Sequence, residues 1–80
     1  MHDIPWSKPI RLEIPRRRAR VIDGPVAALD ILDSDWPIRE GRYYEAARAV
    51  CQAARARLTS PEAARDIFIS ASIEAAVPIR

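Results

Sequence analysis

The sequence predicts an α+β fold in which a short antiparallel β-hairpin packs against three α-helices. Two observations carry this. Apolar and charged residues alternate through KPIRLEI and RARVI, whereas from IDGPVAALDILD onward the apolar spacing changes to steps of three and four. Prolines also stand at the changeovers, where strands end and helices begin. Residues 1–80 are expected to form one small domain, with strands at about 8–14 and 18–22 and helices at about 24–34, 40–58 and 60–76.

In the first strand Ile10, Leu12 and Ile14 alternate with Arg11 and Glu13, the pattern of a strand with one buried face. Pro9 and Pro15 bracket it, and because proline donates nothing to a ladder, the strand should be short and lie at an edge. After a tip at Arg16 and Arg17, Ala19 and Val21 alternate with Arg18 and Arg20 and lead to Ile22, a second strand close enough for an antiparallel hairpin. Two strands alone are marginal, so a third is expected from the C-terminal tail Val77-Pro78-Ile79 or from a second subunit.

Asp23 or Gly24 can cap the first helix, Pro25 suits its first turn, and Val26, Ala28, Leu29 and Leu32 form its inward stripe. Asp33 and Asp35 oppose the dipole at its end, and Trp36-Pro37 stops it. The longest helix follows, with Tyr44, Ala47, Cys51, Ala54 and Leu58 inward and Tyr43 and Val50 widening the stripe. The last helix opens at LTSPEAARD, where Thr59 with Glu62 has capping-box spacing and Ser60 before Pro61 is the rival cap. Its core stripe is Ala64, Ile67, Phe68, Ala71 and Ala75. Ile69 and Ile73 fall on a flank with Glu62 and Ala76, a second apolar stripe that needs a partner.

Composition bounds the function. The hydrophobic fraction of 49% includes fourteen alanines, so nineteen Ile, Leu, Val and Phe residues must supply most of the core. Cys51 is the single cysteine and His2 the single histidine, which leaves neither an internal disulfide nor a four-ligand zinc site. Oligomerisation is the remaining supplement for so small a core. No apolar run approaches the roughly 20 residues that span a bilayer, and the N-terminus MHDIPWSK has no secretory-signal pattern, so a cytoplasmic address is expected. Net charge is only +2, but it is unevenly spread: five arginines and one acid lie between Arg11 and Arg20, four aspartates and no base between Asp23 and Asp35.

Taken together, Trp6, Pro9-Ile10, Arg20-Val21, Ala28 and Leu32, Trp36-Pro37, Gly41, Tyr44, Ala47, Cys51 and SPEAARDIF with Phe68 resemble the small family catalogued as domain of unknown function 982. The resemblance covers about Trp6 to Ala76. It implies a short stand-alone alphaproteobacterial protein and supplies no reaction, cofactor or ligand.

No residue pattern here points to catalysis. Cys51 lies mid-stripe, where a buried thiol is unreactive. Asp30, Asp33 and Asp35 lack the glycine turn of a calcium loop, and Ser60, Ser70 and Ser72 lack a nucleophile elbow. Gly24 and Gly41 do not make a phosphate loop. The expectation is a non-enzyme without metal, cofactor or identifiable small molecule. Its partner is another protein, foremost a second copy, meeting it through Ile69, Ile73 and Ala76 together with an edge strand. Burying both isoleucines is worth on the order of 3 to 6 kcal/mol. The alternative is nucleic acid, held by Arg11, Arg16, Arg17, Arg18 and Arg20 on the hairpin. Against it stands an internal use for the same arginines, pairing with Glu13, Asp23, Asp30 and Asp33.

Overall fold

Bulky apolar residues are few, and the chain concentrates them where its elements meet. In the computed structural model, which describes residues 5–14 and 17–79, the order is β1 (Ile10–Leu12), β2 (Arg20–Ile22), α1 (Pro25–Ser34), α2 (Arg42–Arg55) and α3 (Pro61–Glu74). Pro15, the expected tip residue Arg16, and His2 lie outside the described residues. The α+β arrangement of a two-stranded antiparallel sheet with three helices is thus present.

The strands are three residues each, shorter than the alternation suggests. Ile10 pairs with Ile22, Arg11 with Val21 and Leu12 with Arg20. Directly opposed residues share a face, so the buried face carries Ile10, Leu12, Ile22 and the root of Arg20. This reverses the expected facing of β2: Val21 is 64% exposed and Ala19 is exposed. The reason is the neighbour pair Val21-Ile22. Only one can point inward in a period of two, and the larger Ile22 does so against Ile10.

The tail supplies part of a third strand. Leu12 forms an antiparallel bridge with Ile79, and the Glu13 N–H donates to the Pro78 carbonyl at 2.9 Å. β1 therefore has neighbours on both sides, and the edge position expected for it belongs to β2.

α1 and α3 start at the proline signals. Gly24 precedes Pro25 in α1, and Ser60 caps α3, its hydroxyl oxygen accepting from the Ala63 N–H at 3.1 Å, so Ser60 prevails over Thr59. In α1 Ala28, Leu29, Ile31 and Leu32 are buried whereas Val26, expected inward, is exposed; at 100° per residue it lies almost opposite Ala28. In α2 the stripe Tyr44, Ala47, Cys51 and Ala54 is buried as spaced, but Leu58 is 80% exposed.

Leu58 is outside because α2 ends at Arg55. Arg57 adopts φ +62°, its N–H donates to the Ala54 carbonyl, and the Leu58 N–H donates to the Ala53 carbonyl at 2.8 Å. That is a Schellman closure with arginine where glycine is usual. α3 ends in the same way: Ala76 has φ +55°, its N–H donates to the Ile73 carbonyl, and the Val77 N–H donates to the Ser72 carbonyl at 2.9 Å. Val77 is buried by this turn and sends the tail back toward β1.

At the centre of the core lies Phe68, with the rings of Trp6 and Trp36 at 6.0 and 5.4 Å from it. These three rings tie the segment before β1, the turn after α1 and the middle of α3 into one contact. Buried Ser72 donates to the Phe68 carbonyl at 2.9 Å, and the Tyr44 hydroxyl donates to the Leu32 carbonyl at 3.3 Å, so both polar groups keep partners inside.

Candidate interaction surfaces

The first candidate surface is the outward flank of α3. A helix packed on one side leaves its opposite residues to solvent, and Ile69, Ile73 and Ala76 recur there at steps of four and three. Their exposure differs. Ile69 is half-buried and packs against the core, Ile73 is 72% exposed, and Ala76 is exposed at the left-handed position of the closing turn. The exposed apolar part of the flank is thus centred on Ile73, in the last turn of α3.

Beside it stands a contact that the sequence does not announce. α2 begins at Gly41 with φ +119° and no side-chain cap of its own. Two of its orphan donors are met by Glu74, from the last turn of α3: the Tyr43 N–H donates to Oε2 at 3.1 Å and the Tyr44 N–H to Oε1 at 3.0 Å. A carboxylate at a helix N-terminus is favoured both by these donors and by the helix dipole. A Cβ on residue 41 would sit 2.5 Å from the Glu74 Oε1, so glycine is required twice, for its φ and for the approach of the carboxylate.

The second candidate surface is the arginine cluster of the hairpin, and the structure divides it. Arg20, on the buried face of β2, reaches over the rim so that Nη1 lies 3.3 Å from the Asp35 Oδ2, and Arg17 Nη2 approaches Oδ1 at 4.0 Å. Arg11 is exposed on the opposite face of the sheet, beside Val21. Arg18 is exposed, and neither Arg11 nor Arg18 makes an ion pair among the described residues. Arg16 lies outside those residues. Arg11 therefore does not share a face with Arg20, as the alternation of Val21 suggests it should.

The hairpin arginines do face an aspartate, but not one of those expected to pair with them. Asp35 takes Arg17 and Arg20, and Asp33 Oδ1 accepts from the Arg48 Nε at 2.7 Å. These pairs are on the surface, where each is worth about 0 to 1 kcal/mol. Among the described residues no group of three or more His, Cys, Asp or Glu side chains is placed to hold a metal ion. No helix among them is long and apolar enough to cross a membrane. The Cys51 thiol is buried.

No curated protein and no solved structure matches the chain. A family model described as protein of unknown function (DUF982) does match. It takes in residues 8–79, from the start of the hairpin through the tail that returns to it, and so the chain belongs to that family.

Proposed function

We propose that this is a small non-catalytic protein of the cytoplasm that acts as an interaction module and meets a second copy of itself through the flank of α3. The observation that carries this reading is Ile73, a branched apolar side chain 72% exposed on a regular helix, with half-buried Ile69 one turn before it and Ala76 after it. An antiparallel approach of two α3 helices about a two-fold axis puts Ile69 of one copy beside Ile73 of the other, and the small Ala76 lets the ends come close. Such a contact is self-complementary, as a two-fold interface must be. Burying one such isoleucine is worth about 1.5 to 3 kcal/mol, and the symmetric contact buries two copies of it.

Size-exclusion chromatography with light scattering tests the reading. A concentration-dependent dimer that Ile73→Lys converts to a folded monomer is expected. A strict monomer at high concentration, unaltered by that substitution, overturns it.

Nucleic-acid contact through Arg11, Arg16, Arg17, Arg18 and Arg20 is the second reading, and exposed Arg11 and Arg18 favour it. Two of the five already face Asp35, and Arg11 and Arg20 lie on opposite faces, which weakens a single arginine surface. Affinity for duplex or single-stranded nucleic acid that falls steeply with salt and is reduced in Arg18→Ala would support it; no binding at low salt would remove it.

A further inference from the structure

Each residue of a strand turns its N–H and C=O to one side, and the next residue turns them to the other. In the chain of β1 the Glu13 N–H points to the tail, where it donates to the Pro78 carbonyl. Arg11, two residues earlier, points the same way, and Ile10 and Leu12 point to β2. Their partners Ile22 and Arg20 close the ladder, so Arg11 and Val21 oppose each other without sharing hydrogen bonds. The N–H and C=O of Val21 are therefore turned outward, to the side of β2 that no other strand covers. Neither group has a hydrogen-bond partner among the described residues. Residues 17–21 are all exposed, and this edge ends at Asp23, whose carbonyl accepts from the Trp6 N–H.

The charge beside this edge is of one sign. Exposed Arg18 stands two residues before β2, and Arg11 lies next to Val21 on the outer face of the sheet. Neither makes an ion pair among the described residues, and the nearby Asp35 is already engaged by Arg17 and Arg20. Like charges along an open edge keep two copies from pairing there. The same charges attract a strand that carries carboxylates.

We propose that the free edge of β2 takes up an acidic segment of another protein in extended form, as an added strand. Its backbone meets the N–H and C=O of Val21, its carboxylates meet Arg18 and Arg11, and exposed Val21 supplies an apolar contact. A nucleic acid offers phosphates to the arginines but no repeating amide to complete the ladder. This surface is separate from the flank of α3 and does not rest on the dimer.

The test is a low-salt titration of the ¹⁵N-labelled full chain with a capped peptide in which glutamate and valine alternate. In the free protein the Val21 amide should exchange with solvent freely while those of Arg20 and Ile22 are protected. With peptide it should shift and become protected, with half-saturation near about 1 mM. Replacing the glutamates by glutamine, or Arg18→Glu in the protein, should weaken binding at least about fivefold. Val21→Pro removes the outward N–H and leaves the ladder bonds of β1 intact, so it should fold, by circular dichroism, and bind at least about fivefold more weakly. The proposal is overturned by a Val21 amide whose exchange the peptide does not slow, or by a glutamine peptide that binds equally. It is also overturned by unchanged affinity in both variants. Protection of Val21 that rises with protein concentration alone would assign the edge to a second copy. Single-stranded oligothymidylate of equal charge binding more tightly than the peptide would assign it to nucleic acid, and either result overturns the proposal.

Discussion

Gly41 and Glu74 show how one residue's identity can be set by another 33 positions away. Glu74 holds the first turn of α2, and Gly41 leaves the space through which it does so. Replacing Glu74 with alanine should cost about 1 kcal/mol, the usual value of a helix cap. Gly41→Ala should cost more, about 2 to 3 kcal/mol, since it adds backbone strain to the displaced carboxylate. Combined, the two changes should be less than additive, because with Glu74 shortened the new methyl group no longer meets it. Urea unfolding of the two single variants and the double variant measures this, and full additivity would show that the contact does not form. The sequence displays the glycine before a helical run but not its acidic partner, since capping patterns are recognisable only when cap and helix are neighbours. Ser60 with Pro61 is such a local case, and it is legible for that reason.

At the scale of elements, both long helices end on a residue that fits the left-handed conformation poorly. For a residue with a Cβ that conformation costs about 1 to 2 kcal/mol, of which glycine would recover a part, since it loses more freedom on folding. Arg57→Gly should therefore raise stability by about 0.5 to 1 kcal/mol, seen as a higher denaturation midpoint at unchanged slope. Ala76→Gly should act in the same sense, although it also alters the proposed contact surface, so Arg57 is the cleaner position. The missing glycine explains why the end of α2 is hard to read. ARARLTS carries no stop signal at Arg57, the apolar spacing runs on to Leu58, and only the Schellman closure turns that leucine outward. The face of β2 was ambiguous for a different reason: Val21 and Ile22 both satisfy a strand pattern, and the choice between them depends on Ile10 across the ladder. With Ile22 inward, Arg20 goes to the rim beside Asp35, so the placement of a candidate site residue was decided by packing that no local pattern encodes.

For the molecule as a whole, Phe68 is the residue on which most depends, fully buried between Trp6 and Trp36. Phe68→Ala should cost about 3 to 5 kcal/mol, a large part of the 5 to 15 kcal/mol by which domains are stable. Loss of the cooperative thermal transition would follow; a variant that melts within a few degrees of the parent would show that the aromatic contact is not central. The order and type of the elements were legible because each follows from periodicity and proline position. The meeting of Arg17 and Arg20 with Asp35 was not, since these residues come together only through the tertiary fold. The first amides of a helix normally exchange with solvent freely, but those of Tyr43 and Tyr44 are bonded to a side chain on another helix. Their protection against hydrogen exchange should follow the fraying of the last turn of α3 rather than that of α2, so the start of one helix and the end of the other open as a single unit.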